Sequence, residues 1–214
     1  MRKVVFIVIL SIVSLVSNAQ ELVRNWNSVN LSGSCISFNN KLKESYDINK
    51  IPLASLGIGY QYGWTINKFD IVLDGRFENS LISNDKALSI SYPSFSLNFG
   101  YAIIKQNDVL LLGHIGAGIY SSYLIYGEDT DINSVLGARL STSMIRQGLN
   151  LFIPIGITGK VAFNEKLTMS MDLSYRYSIC TGSSKAFGSS TKINDLPDVK
   201  LNGLSLTIGW EFPL

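Results

Sequence analysis

The chain has 214 residues, of which 46% are hydrophobic and only 16% are charged, and its formal net charge is +2. Its mean hydropathy is positive, which is unusual for a soluble secreted protein. A nearly neutral chain without a basic tract excludes an electrostatic nucleic-acid-binding surface. After residue 19 there is no apolar run of the roughly 20 residues that a transmembrane helix needs. The apolar residues must therefore be accommodated in another way.

The N-terminus predicts a secretory signal peptide over residues 1–19. Arg2 and Lys3 precede an apolar run from Val4 to Val16, and small residues follow that run. This is the order of the basic, apolar and cleavage regions in a signal peptide, and the run is too short to span a bilayer. We expect residues 20–214 to be the mature barrel protein, with 16 basic and 16 acidic residues, outside the cytoplasm.

Eight segments alternate large apolar residues with small or polar ones, a period of two that predicts β-strands with two unlike faces. The pattern is clearest in "LASLGIGYQYGWTIN" at residues 53–67. In chain order, the predicted strands are 29–38, 53–67, 69–78, 94–103, 109–119, 149–163, 167–177 and 204–212. Glycine and β-branched residues within these segments disfavour helices.

The connections between the predicted strands are alternately short and long. The short ones are Asn67-Lys68, 105–108 and 164–166, whereas the long polar ones are roughly 39–51, 79–92, 127–147 and 181–201. Strict alternation puts all turns at one end and all loops at the other. The sequence therefore predicts an all-β fold, an eight-stranded antiparallel up-and-down transmembrane β-barrel with both termini at the short-turn end.

The aromatic residues indicate which face is outside. A soluble barrel with an apolar interior would expose Gly, Ser, Thr and Asn, and an eight-stranded interior is too narrow for all the aromatic rings. On the lipid-facing parity, one predicted girdle at the short-turn end consists of Tyr62, Trp64, Phe69, Phe99, Tyr101, Phe163, Trp210 and Phe212. A second group lies toward the loop end: Phe77, Phe95, Tyr123, Tyr175 and Tyr177. Two such rings are typical of two membrane interfaces.

The chain resembles the small eight-stranded outer-membrane β-barrel proteins of Gram-negative bacteria, of the OmpX-like and OmpA-barrel types. Its last strand, "LNGLSLTIGWEF", is similar to their C-terminal assembly signal, although Pro213 and Leu214 follow Phe212. The "SNAQ" sequence at the predicted cleavage site resembles signal peptides of Bacteroidetes. The resemblance implies a periplasmic N-terminus, contact with outer-membrane lipid and lipopolysaccharide, and recognition of strand 203–212 by the barrel-assembly machinery. It is specific for architecture and not for function.

Eight charged residues occupy the alternate strand positions that are predicted to face the lumen: Asp70, Asp74, Arg76, Glu78, Lys160, Asp172, Arg176 and Glu211. They could line a solute path or perform acid–base chemistry. The interpretation we favour is an internal ion-pair network that plugs the lumen, because buried charges must be paired and an eight-stranded lumen has little free space.

His114 is the only histidine, and its parity places it inward. A barrel-wall acyl hydrolase needs a nucleophile within hydrogen-bond reach of its base. The lipid A deacylases carry a His-x-Ser pattern, from which His114-Ile115-Gly116 departs. A single histidine also matches no familiar metal site. We predict that the protein is not an enzyme and has no cofactor or metal.

Three features leave alternatives open. Cys35 and Cys180 could form a disulfide in the oxidising envelope, but two free, buried thiols are favoured because strand eight separates their strands. Pro154 inside strand six indicates a bulge or a wrong strand boundary. Arg139 and Arg146 precede that strand, where the segment either extends the sheet or binds lipopolysaccharide headgroups.

The leading functional prediction is a structural or surface-interaction protein whose exposed loops contact a surface ligand. The alternative is a narrow passive channel for small solutes or ions. A third hypothesis is a lipid-modifying barrel that uses His114.

Overall fold

The computed structural model describes residues 23–37, 54–80, 87–106, 108–127, 143–180, 182–186 and 200–214. The predicted signal peptide lies outside these ranges, as do Arg139 and most of the four predicted long connections. Within the described ranges, no helix is long and apolar enough to cross a membrane.

The described ranges form nine antiparallel strands. In chain order they are β1 (Val23–Ser37), β2 (Ala54–Ile66), β3 (Phe69–Ser80), β4 (Ala87–Gln106), β5 (Val109–Gly127), β6 (Ser143–Asn164), β7 (Leu167–Cys180), β8 (Ser184–Ala186) and β9 (Asn202–Pro213). Strands β1 to β7 pair in sequence order, and β9 pairs with both β7 and β1. The sheet is therefore a closed eight-stranded barrel, as predicted. The short β8 pairs with β6 beyond the end of β7.

Tight turns lie at one end of the barrel. Asn67 and Lys68 join β2 to β3, and Glu165 and Lys166 join β6 to β7. Asn67 has a φ of 57°, in the left-handed region that a tight hairpin requires and that asparagine tolerates. β1 begins and β9 finishes at this same end of the barrel, because Trp26 pairs with Pro213. This confirms the predicted up-and-down arrangement at the turn end.

The strands are longer toward the loop end than the sequence pattern predicts. The proposed connection 79–92 is wrong at both edges, because β3 continues to Ser80 and β4 begins at Ala87. The Ser80 hydroxyl accepts a hydrogen bond of 2.8 Å from the Ile90 backbone N–H, which joins these extensions. Similarly, β6 begins inside the predicted connection 127–147, and β8 lies inside 181–201.

Arg146 lies in the strand extension of β6, opposite Lys185 of β8. The sheet therefore extends through this residue, which agrees with the first of the two alternatives for the segment.

Strand β1 is also longer than predicted, since it begins at Val23 and not near Val29.

The two faces of the barrel differ as the alternation predicts. The outer face exposes large apolar side chains along every long strand, such as Ile58 at 63%, Ile155 at 53% and Leu173 at 47%. The inner face carries buried serine, threonine, asparagine and charged residues. Period-two alternation on a closed sheet produces this separation, because successive side chains point to opposite faces.

Pro154 lies inside β6 and keeps its register opposite Arg176 of β7, so neither a strand boundary nor a bulge falls at this residue. The pairing of β6 with β7 shifts register nearby, between Leu151 and Phe152. The pairing of β5 with β6 is interrupted where Gly116 faces Pro154 and Ala117 faces Ile153, with the same register on both sides. Proline has no N–H for the ladder, and the barrel accommodates it by omitting these bonds on one side.

Cys35 and Cys180 are both free. Cys35 lies opposite Leu204 of β9, and Cys180 lies at the end of β7 opposite Leu151. Both residues are exposed, so the expectation that the thiols are buried is wrong. Their strands are separated by β9, which is the topological reason why they do not bridge.

Candidate functional site

The inner face of the barrel carries the eight charged residues predicted for it. They are Asp70, Asp74, Glu78, Lys160, Asp172, Arg176 and Glu211, all buried, and Arg76, whose side chain is 10% exposed. Five are acidic and three are basic. Their positions along the strands separate them into three clusters, which we call the turn-end, central and loop-end clusters.

The turn-end cluster surrounds Lys160. Its Nζ donates a 2.7 Å hydrogen bond to Asp70 Oδ2 and lies 3.1 Å from Glu211 Oε1 and 3.9 Å from the centre of the Trp26 ring. The Thr65 hydroxyl accepts a bond of 3.2 Å from Trp26 Nε1 and donates one of 2.6 Å to Asp70 Oδ1. One ammonium group thus contacts two carboxylates, one from β3 and one from β9.

The central cluster extends from β3 across the lumen to β7 and β5. Arg76 Nη2 lies 2.5 Å from Asp74 Oδ2, and Arg76 Nη1 donates a 2.7 Å bond to the hydroxyl of Thr207 on β9. Thr207 is the cross-strand neighbour of Asp172 on β7. Asp172 Oδ2 in turn lies 2.5 Å from His114 Nε2 on β5.

The loop-end cluster is centred on Glu78, which is fully buried. Arg176 Nη2 donates a 3.0 Å bond to Glu78 Oε1. The other carboxylate oxygen, Oε2, accepts bonds from the hydroxyls of Ser34 at 2.7 Å, Ser55 at 3.1 Å and Tyr92. Four donors from four strands hold this carboxylate, which is how a buried charge is tolerated.

Two cavities among the described residues share part of their lining. A lumen cavity of about 70 Å³ is lined by the central cluster, and a turn-end cavity of about 290 Å³ lies at the end of the barrel. Trp26, Lys160 and Glu211 line both of them. The two cavities therefore adjoin at these three side chains.

Inward-facing glycines make room for the large inward side chains. A Cβ at Gly63 would overlap the ring of Trp26, its cross-strand neighbour. A Cβ at Gly156 would lie 2.5 Å from the Leu173 carbonyl and 2.7 Å from His114 Nε2. Contacts this short are incompatible with any larger residue unless something shifts, so the glycines determine which side chains the lumen can hold.

Four aromatic residues of the interior were not predicted. Trp26, Tyr92, Tyr120 and Phe152 are buried, with 4% exposure or less. The ring centres of Tyr92 and Phe152 lie 5.2 and 5.0 Å from the Arg176 guanidinium carbon. Trp26 alternates with the outward residues of β1 and therefore faces the lumen. It would have been predicted there if the strand had been extended to Val23.

The His114–Asp172 pair lacks the arrangement of a hydrolytic site. Asp172 accepts hydrogen bonds of 2.9 Å from Thr158 Oγ1 and from Ser174 Oγ, but neither hydroxyl is bonded to His114. A nucleophile has to be hydrogen-bonded to the base that activates it. Among the residues that the structure describes, no group of three or more His, Cys, Asp or Glu side chains could hold a metal ion.

The predicted turn-end aromatic residues lie on the outer face. Six of the eight are exposed, from 38% for Trp210 to 63% for Phe163, while Tyr62 and Trp64 are half-buried. Tyr62 and Trp64 pack edge-to-face with their ring centres 4.7 Å apart, and Phe69 packs edge-to-face on Tyr101 at 5.2 Å.

Comparison with solved structures finds proteins of similar architecture. The chain is similar to neisserial surface protein A (NspA), at 13% identity over 91% of this chain and all of that one, with a TM-score of 0.52. It is also similar to a major outer membrane protein from Thermus thermophilus, at 13% identity, 89% and 99% coverage, and a TM-score of 0.56. The chain has the fold of small outer-membrane β-barrels.

A third similar structure is Ail, the attachment invasion locus protein of Yersinia pestis, at 13% identity, 88% and 98% coverage, and a TM-score of 0.50. No protein-family profile matches the sequence, and no curated protein matches it. Likeness at this level of identity concerns the fold, so function has to be argued from the residues of this chain.

Proposed function

We propose that the protein is a non-enzymatic outer-membrane barrel with a structural or surface-interaction role and a lumen closed by its own side chains. The observation that carries this proposal is the series of three ion-pair clusters across the lumen. They leave a cavity of about 70 Å³, enough for a few water molecules and too little for a solute path. A barrel of eight strands is filled by side chains in this way.

The exposed outer face supports an outer-membrane location. A band of exposed Leu, Ile, Val and Phe side chains on all sides would be an aggregation surface in water, whereas in lipid it is the expected exterior. The aromatic girdle around Trp210 and Phe212 fits one membrane interface, and we place it on the periplasmic side together with the N-terminus. Similarity of the fold to outer-membrane proteins agrees with this location.

The interaction role is assigned to the loops at the end opposite the tight turns. We propose that these loops bind a surface ligand and that the outer face contacts outer-membrane lipid and lipopolysaccharide. The name of the similar protein Ail refers to attachment and invasion, which is consistent with such a role. We further propose that strand 203–212 is recognised by the barrel-assembly machinery.

The test is single-channel recording of the refolded mature barrel in a planar lipid bilayer. We expect no discrete conductance in wild-type protein whose resistance to unfolding in SDS shows that it is folded and inserted. Steady unitary currents from that preparation would contradict a closed lumen.

A narrow channel is the second candidate, and the two cavities favour it. Among the described residues, Trp26, Lys160 and Glu211 line both the lumen cavity and the turn-end cavity, so the two cavities adjoin there. If the barrel conducts, Asp74→Asn and Arg76→Gln should shift the cation-to-anion selectivity in opposite directions, since both residues line the lumen cavity.

The third hypothesis, a lipid-modifying enzyme, has less support because neither hydroxyl that binds Asp172, Thr158 or Ser174, is bonded to His114. The mass profile of lipid A from a deletion strain tests it. We expect the profile to equal that of the parent strain, and a change that His114→Ala also produces would contradict the non-enzymatic proposal.

A further inference from the structure

Among the described residues, eight buried side-chain polar atoms have no hydrogen-bond partner, and four of them belong to residues that line one cavity. These four are Asp74 Oδ1, Asn98 Oδ1, His114 Nδ1 and Ser205 Oγ, and the cavity is the lumen cavity. Asp74 is 3% exposed and Ser205 is 4% exposed. Buried polar groups are normally paired, so four exceptions around one cavity need an explanation.

Three of these four atoms are oxygens that can accept a hydrogen bond, and the fourth is a ring nitrogen. Asp74 uses Oδ2 for Arg76, which leaves Oδ1 as a carboxylate acceptor. Asn98 donates from Nδ2 to Ser96 Oγ at 3.1 Å, so the free atom is its carbonyl oxygen. A carboxylate only accepts hydrogen bonds, so His114 Nε2 carries the hydrogen shared with Asp172, and Nδ1 is the ring nitrogen left without a partner.

The charge of the lumen also favours a cation. Its charged residues comprise five carboxylates and three fixed cations, with two carboxylates sharing Lys160. Inside a closed barrel surrounded by apolar side chains, an excess of negative charge is costly unless it is compensated. Acceptor atoms and negative charge are thus found at the same cavity by two independent observations.

We propose that this cavity binds a monovalent alkali cation together with a few water molecules. Asp74 supplies the carboxylate oxygen that Arg76 does not use, Asn98 and Ser205 supply neutral oxygens, and His114 Nδ1 accepts a hydrogen bond from a water molecule of the ion. The uncompensated negative charge comes from the carboxylates around the same cavity, of which Asp70 and Glu211 share one lysine. A cavity of about 70 Å³ has room for such a hydrated ion. Calcium is a poorer occupant, because it prefers six to eight oxygen ligands.

The direct test uses rubidium, whose anomalous scattering identifies it in a crystal. Crystals of the refolded mature barrel are grown in RbCl, and we expect an anomalous peak in the lumen cavity near Asp74, Asn98 and Ser205. Electron density with only water molecules in the cavity, or no density there, would overturn the proposal.

A solution test compares two matched serine substitutions. The thermal unfolding midpoint of the folded barrel is measured against RbCl concentration, with choline chloride keeping the ionic strength constant, and gives an apparent Rb⁺ affinity. Ser205→Ala removes a proposed ligand, whereas Ser32→Ala removes an unpartnered hydroxyl that is equally buried, at 4% exposure, but does not line the cavity.

We expect Ser205→Ala and Asn98→Ala each to weaken the apparent Rb⁺ affinity by about tenfold, because each loses one polar contact to a charged group. Ser32→Ala should leave the affinity unchanged. Equal effects of Ser205→Ala and Ser32→Ala, or no dependence of wild type on Rb⁺, would overturn the proposal. The result is independent of conductance, since a closed or an open barrel can hold the ion.

Discussion

Lys160 Nζ lies 3.9 Å from the centre of the Trp26 ring, at the position where the lumen cavity and the turn-end cavity meet. An ammonium group over an indole face is a favourable cation–π contact, and burial strengthens it. Both residues line both cavities, as does Glu211. The cation–π contact therefore lies at the shared boundary of the two cavities.

Replacing Trp26 with alanine should join the two cavities. We expect Trp26→Ala to lower the free energy of unfolding in vesicles by about 3 kcal/mol, because a buried ring is lost. The variant should still show no conductance in a planar bilayer, because the loop-end cluster keeps the lumen closed. Trp210→Ala is the control, since that ring is on the outer face. Discrete conductance from Trp26→Ala alone would show that the turn-end cluster and not the loop-end cluster closes the barrel.

Breaking the loop-end ion pair should be costly. Arg176→Met leaves the fully buried Glu78 carboxylate without its cation. We expect the free energy of unfolding, measured with urea in lipid vesicles, to fall by about 3–5 kcal/mol. The double variant with Glu78→Gln should lose less than Arg176→Met alone. Additive losses would mean that the two residues are not coupled. Lys166→Met, at an exposed turn, should change stability by less than about 0.5 kcal/mol.

Two glycines on β6 provide a matched test of lumen packing. At Gly156 an added Cβ would lie 2.5 Å from the Leu173 carbonyl oxygen, whereas at Gly159 the nearest atom is 4.0 Å away. We expect Gly156→Ala to destabilise the barrel by about 1–3 kcal/mol and Gly159→Ala to have little effect. The free energy of unfolding in vesicles measures both, and equal values would contradict the described close approach.

Arginine substitutions on the outer face test whether lipid surrounds it. Leu173 lies midway along β7, and Leu149 lies toward the loop end of β6. We expect Leu173→Arg to cost about 2–4 kcal/mol in vesicles and Leu149→Arg about 0–1 kcal/mol, because the cost of a lipid-facing charge falls toward the interface. If both substitutions are neutral, the apolar band does not span a bilayer.

The sequence predicts the barrel well because the signal is local. Each strand shows its two faces in its own alternation, and residues such as Ile58 and Leu173 need no partner to be assigned outward. The loop-end extensions were missed because Ser80 and Ile90 are held by a hydrogen bond between strands and not by an apolar row. Beyond the apolar band, the outer residues need not be hydrophobic, so the pattern ends before the strand does.

The pairings in the lumen could not be predicted from parity alone. Inward parity identifies Glu78 and Arg176 as lumen residues, but they are 98 positions apart, and which carboxylate binds which cation depends on the register of the closed sheet. The same holds for Lys160, which contacts residues from three other strands. The alternation within each strand predicts which residues face the lumen, whereas their contacts depend on how all the strands pair in the closed barrel.

The seam between β1 and β9 has a consequence for the order of assembly. Twelve registered pairs join them, and the Leu214 N–H adds a 3.1 Å bond to the Asn25 carbonyl. Until β9 arrives, β1 and β7 each present an unpaired edge, and such edges are sites of aggregation. Because the strands that close the sheet come from opposite ends of the described chain, closure has a high contact order and should be late and slow. A nascent chain therefore needs protection of both edges until its last strand is available.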